Sequence, residues 1–194
     1  MIEVGEKAPD FKAEMYHPQK EEFNELSLQN LKGKWVIMAF HPGDFTFVCA
    51  TDLEEFARKY EAFESENAEI LAISTDTVFT HKMWVETSPR VKKVTYPMVG
   101  DVKKDISRKY GFLSEEGHAR RGIVIVDPDG VVQYISIFNR RLGKDVNHIY
   151  RSFMGLKHIH KYPGTEEEFD IIPANWEPGK EAMHVKLPED VGKF

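Results

Sequence analysis

Cys49 is the only cysteine among 194 residues, and it ends the segment Pro42-Gly43-Asp44-Phe45-Thr46-Phe47-Val48-Cys49. A cysteine reacts as its thiolate, and a free thiol with a pKa of about 8.5 holds only about 3% of that form at neutral pH. Three features can favour the anion. The amides of a helix N-terminus attract negative charge. The Thr46 hydroxyl, three residues earlier, can donate to the sulfur or to a bound substrate oxygen. A guanidinium from elsewhere would stabilise both the thiolate and a developing oxyanion. Pro42 can shield the thiol and fix the loop, because its backbone dihedral is locked and it needs no hydrogen-bond acceptor. With no second cysteine, the chain cannot close a disulfide within itself. The alternative is a small buried hydrophobe, the usual fate of a free cysteine.

The flanking pattern places this loop. Trp35-Val36-Ile37-Met38-Ala39-Phe40 is a continuous apolar run of strand length, suited to burial on both faces. From Leu53 the period changes: Leu53, Phe56, Ala57, Tyr60 and Phe63 recur at helical spacing between charged residues. Extending that helix back one turn puts Cys49 in its first turn.

Further along, Glu69–Ser74 predicts a second buried strand and Thr77–Thr87 a helix stopped near Ser88-Pro89. Tyr96–Val99 predicts a short strand, and Val102–Tyr110 a helix closed by Gly111. Gly122–Val126, the turn Asp127-Pro128-Asp129-Gly130 and Val131–Ile137 predict a hairpin. Lys144–Lys161 predicts a long helix ended by Tyr162-Pro163-Gly164. Such alternation argues for an α/β fold, a mixed sheet with helices on both faces and the hairpin at its antiparallel edge.

Residues 162–194 differ in character from 1–161. They hold four of the ten prolines and eight acidic against three basic residues. Yet Phe169, Ile171, Ile172, Trp176 and Val185 are too apolar for a free disordered tail. The expected organisation is a domain over 1–161 and an extended arm over 162–194 that docks on a partner subunit.

A net charge of −6, with no basic stripe, argues against nucleic acid as a partner. No segment approaches the roughly 18 unbroken apolar residues of a membrane span. Met1–Glu6 lacks the basic and apolar regions of a secretion signal. A lone reactive thiol suits a reducing cytoplasm, the expected location.

The loop Phe40-His41-Pro42-Gly43-Asp44-Phe45-Thr46-Phe47-Val48-Cys49-Ala50-Thr51-Asp52 closely resembles the peroxidatic loop of the peroxiredoxins. The likeness continues through Ser74–Trp84 and Arg121–Asp127. The arm Ile172–Gly179 and the ending Val191–Phe194 resemble the peroxidase subunit of bacterial alkyl hydroperoxide reductase. The resemblance implies a thioredoxin-like fold and reduction of hydrogen peroxide and alkyl hydroperoxides. Cys49 would attack the peroxide and become a sulfenic acid, Thr46 and Arg121 would orient it, and Pro42 would shield the site. No cofactor or metal is required, because the sulfur is the redox centre. The family further implies a homo-oligomer: dimers that assemble into a ring such as a decamer.

The chain departs from the family pattern at informative places. Ile172 stands where relatives of this subtype carry a resolving cysteine, so the reductant is expected to be external, a thioredoxin-type protein or a low-molecular-weight thiol. His41 replaces a frequent tyrosine and Lys144 a second arginine; both are substrate-pocket candidates. Ala50 and Asp52 replace a common proline and glutamate. Of the neighbours Arg120 and Arg121, strand alternation lets only one face Cys49. His158 and His160 supply at most half a metal site. The alternative function is a peroxide sensor or chaperone-like protein whose assembly changes when Cys49 is oxidised.

Overall fold

The computed structural model describes residues 2–193, which divide into two compact units, one up to Val146 and one from Asn147. In chain order the first unit contains β1 (Lys12–His17), β2 (Glu22–Ser27), β3 (Trp35–Phe40), α1 (Phe47–Ser65), β4 (Ala68–Ser74), α2 (Val78–Thr87), β5 (Met98–Gly100), α3 (Asp105–Lys109), β6 (Gly122–Val126) and β7 (Val132–Ile137). Helix α4 (Val146–Lys161) and the hairpin β8 (Glu168–Ile171) and β9 (Met183–Lys186) follow.

The seven strands of the first unit form one mixed sheet in the order β2-β1-β5-β4-β3-β6-β7. The all-apolar β3 lies inside it, parallel to β4 and antiparallel to β6, and every one of its residues is buried. That is the placement a strand with no polar face requires. Phe40, at its end, stacks on Phe112 with ring centroids 4.4 Å apart. Gly122, paired with Phe40 across the sheet, makes room for this stack: a Cβ there would lie 2.0 Å from the Phe112 ring. The same close packing fixes the chain where it leaves Arg121.

Helix α1 buries Cys49, Asp52, Leu53, Glu54, Phe56, Tyr60 and Phe63, and the carboxylates Asp52 and Glu54 fall within its first two turns. The hairpin β6–β7 forms one edge of the sheet, and Thr77 caps α2 by accepting from the Thr80 amide.

Several elements differ from what the sequence predicts: the short strand is Met98–Gly100, not Tyr96–Val99, and α4 starts at Val146, not Lys144. The hairpin β1–β2 adds two strands at the other edge. Most of β2 is exposed on both faces, so it lacks the apolar alternation that marks a strand. Helix α3 starts at Asp105, not Val102, because Lys104 adopts a left-handed φ of 61° and the Asp101 carboxylate caps the amides of Ile106 and Ser107.

In the second unit β8 and β9 pair antiparallel, with Asp170 opposite His184. Trp176 is only 8% exposed, and its indole N–H donates to the Lys180 carbonyl. Val185 is buried as well. Two of the apolar residues expected to need a partner's surface are therefore covered within the single chain. The arm also contains regular structure, which its proline content had obscured.

Candidate active site

The loop 41–46 runs from the end of β3 to the start of α1. Thr46 takes the extended conformation of an N-cap, and Cys49 is the third residue of the helix. Phe45 turns the loop with a φ of 56°, an uncommon conformation for a large side chain and one found at functional sites. The Thr46 side chain does not cap the helix; its hydroxyl donates to the Gly43 carbonyl at 2.8 Å. Pro42 is half-buried and Thr46 exposed, whereas Cys49 is 1% exposed.

Arg121 enters from the residue before β6. Its Nη2 lies 3.3 Å from the Cys49 sulfur, and the same guanidinium donates to the Asp52 carboxylate and the Arg140 carbonyl. Arg120 is exposed. Asp52 stands one turn after Cys49 on the same face of α1, and it also accepts from the Lys144 amide at 2.8 Å and from Lys144 Nζ at 3.0 Å. Burial pushes the Lys144 pKa down; the Asp52 carboxylate opposes this, and the net position stays below the usual lysine value. Asp52 thus holds two buried cations, one of which faces the sulfur. This carboxylate positions Arg121, and the sequence marked it only as a departure from a family pattern.

His41 is fully buried, and its Nε2 bonds to Asp44 at 2.9 Å. Burial also drives its pKa down, against the pull of Asp44. Both substrate-pocket candidates therefore commit a side-chain nitrogen to a buried carboxylate. His41, Asp44 and Asp76 approach metal-ligand spacing, but Asp76 Oδ2 already accepts from the Asp44 amide and the Ser74 hydroxyl. His158 spends Nε2 on Asp170.

An open depression of about 500 Å³ borders the loop, lined among others by Phe45, Thr46, Phe47, Ala50, Trp84 and Arg90. Phe47 is 92% exposed beside it. A second cavity, of about 350 Å³, includes Val36 and Val126, at the opposite end of the β3–β6 pair from Phe40 and Gly122. It is separate from the thiol.

In the second unit Ile172 packs on α4 at Gly155, where an added Cβ would lie 3.2 Å from Ile172 Cγ2. An aliphatic side chain seated on a helix fills the position where the resemblance places a resolving cysteine.

The model of the AhpC/TSA family matches residues 4–135. Alkyl hydroperoxide reductase C of Staphylococcus saprophyticus is 39% identical over 192 residues, covering 98% of each chain. The crystal structure of reduced Plasmodium vivax 2-Cys peroxiredoxin superposes with a TM-score of 0.87 at 33% identity, over 94% of this chain and 93% of that one. Enterococcus faecalis AhpC superposes with a TM-score of 0.81 at 29% identity, over 89% of this chain and 100% of that one. The mixed sheet and its helices are the thioredoxin-like fold of these proteins. With a buried thiol on a guanidinium, that fold and a single cysteine, the chain belongs to the AhpC/TSA family of thiol peroxidases as a one-cysteine member.

Proposed function

We propose that the chain reduces hydrogen peroxide and alkyl hydroperoxides through a sulfenic acid at Cys49 that an external thiol resolves. The observation that carries this reading is Arg121 Nη2 at 3.3 Å from the sulfur. The Cys49 thiolate attacks the terminal peroxide oxygen and the O–O bond breaks. The sulfur is oxidised to the sulfenic acid, and the leaving alkoxide or hydroxide takes a proton to become alcohol or water. Arg121 stabilises the negative charge as it moves from sulfur to the leaving oxygen. The Thr46 hydroxyl, its proton engaged by Gly43, keeps lone pairs to accept the peroxide O–H. Pro42 shields the sulfur from bulk water. A thiol then displaces water from the sulfenic acid, and a second thiol releases Cys49 and leaves as a disulfide. Peroxide consumption with a panel of small thiols and thioredoxin-type donors tests this. One oxidation event per chain without turnover, with new binding behaviour, would assign the protein to sensing instead.

Because Ile172 offers no thiol, the oxidised sulfur should persist until a donor arrives. Graded peroxide without donor should add one and then two oxygens to the Cys49 peptide, read by mass spectrometry. A stoichiometric Cys49–Cys49 disulfide between chains as the main product would overturn this.

The assembly is proposed to be a two-fold dimer that builds a ring, such as a decamer. Strand β7 is an edge strand with half-exposed residues, a surface suited to pairing with a second copy. Phe45 on the loop, Phe47 at the start of α1, and Phe79 and Met83 on α2 are exposed, enough apolar side chains for a second contact. The arm is proposed to reach the partner in the dimer. Truncation after Lys161 should lower both assembly state and stability, and Trp176→Ala should do so in part. Sedimentation at micromolar concentration decides: a full-length monomer rules the assembly out. Among the described residues no helix is long and apolar enough to cross a membrane, and the cytoplasm is the proposed location.

A further inference from the structure

Asp44 is buried in the loop that leads to Cys49, and its carboxylate lies between two buried imidazoles. Oδ1 is 2.9 Å from His41 Nε2, and Oδ2 is 2.6 Å from Nδ1 of His81 on α2. Burial alone would raise the Asp44 pKa; the two imidazole hydrogen bonds outweigh it and hold the group at about 2. An ionised carboxylate can only accept, so both rings must turn an N–H toward it. In the neutral rings this fixes opposite tautomers, with hydrogen on Nε2 of His41 and on Nδ1 of His81. The remaining nitrogens, His41 Nδ1 and His81 Nε2, are buried and have no hydrogen-bond partner among the described residues.

The same residue is anchored through its backbone. The Asp44 amide donates to Asp76 Oδ2, which also accepts from the Ser74 hydroxyl at the end of β4. The carbonyl just before it, on Gly43, receives the Thr46 hydroxyl. Trp84, one turn after His81, packs its ring near both His41 and Phe45.

We propose that Asp44 and His81 are positioning residues for the peroxidase reaction: Asp44 fixes the tautomer of His41, and His81, acting through Asp44, fixes the seat of the loop that carries Pro42 and Thr46 to Cys49. Neither is required to touch the peroxide. Asparagine at position 81 can place its amide N–H where His81 Nδ1–H stands, whereas leucine cannot. Asparagine at position 44 offers one acceptor and one donor, so one ring must change its tautomer.

The test is the second-order rate constant for oxidation of Cys49 by hydrogen peroxide, measured by stopped flow. His81→Asn should stay within about threefold of wild type, while His81→Leu and Asp44→Asn should fall by about tenfold to a hundredfold, the scale of a misplaced reacting group. A wild-type rate in His81→Leu overturns the proposal. So does an equal loss in His81→Asn and His81→Leu, since volume rather than the hydrogen bond would then matter. If Asp44→Asn does not fold, the His81 pair decides. The proposal rests on Cys49 as nucleophile: a wild-type protein that leaves peroxide untouched removes both, whereas a failure confined to the variants removes this proposal alone.

Discussion

Cys49→Ser should bring peroxide consumption down to the background rate while leaving the fold in place. Serine preserves the shape of the side chain to within the difference between oxygen and sulfur, and its hydroxyl can still meet the Arg121 fork. It cannot do the chemistry. The hydroxyl is far less acidic than a thiol, so almost no anion exists to attack the peroxide, and oxygen has no counterpart to the sulfenic acid. The chain has no other cysteine to take over the role. The checks are peroxide consumption with an active thiol donor and the thermal unfolding midpoint. Consumption by the serine variant at a rate comparable to wild type would show that this mechanism is wrong.

Arg121→Ala should slow Cys49 oxidation by about a hundredfold or more, the usual cost of losing a preorganised donor aimed at developing charge. Rate should suffer more than stability, because Asp52 retains two hydrogen bonds from Lys144 and is not left as an orphaned buried charge. Arg121→Lys should fall between, keeping a charge but not a fork that can reach the sulfur, Asp52 and the Arg140 carbonyl together. Stopped-flow oxidation rates and thermal unfolding of the three proteins separate these effects. An unchanged rate in Arg121→Ala would move the role to Lys144, since Arg120 is exposed.

What the sequence revealed about this site was local. The apolar run of β3, the period of α1 and the residue types from Pro42 to Cys49 lie within a few turns of one another, and neighbour rules are enough to read them. The same holds for the β6–β7 hairpin, whose turn is written in Asp127-Pro128-Asp129-Gly130. The partners of Asp52 lie 69 and 92 positions away, and His81 lies 37 from Asp44. No periodicity links such pairs; the sheet order sets β3 between β4 and β6, so the chain after β3 meets α2 on one side and Arg121 on the other. Strand β2 was hidden for a different reason: it hydrogen-bonds like a strand but buries little, and burial is what leaves a trace in composition. Trp176 shows a further limit: an apolar residue in a proline-rich arm implies a surface to cover without saying whose, and in the single chain it is already largely covered.

The carboxylate shared by Arg121 and Lys144 has a consequence for the whole redox cycle. With both side chains protonated, two buried cations against one buried anion leave a surplus of one positive charge. In the proposed reaction the attacking thiolate of Cys49 would cancel it. An uncharged sulfenic acid would not, so the proposed oxidation would leave the surplus buried and unmet. Two anions can restore the balance: the thiolate of an incoming donor, or a sulfinate formed on Cys49 by a second peroxide. In the proposed cycle, rescue and inactivation would therefore draw on the same electrostatic pull. With no resolving cysteine in the chain to intervene, the balance between donor and peroxide concentrations decides between them.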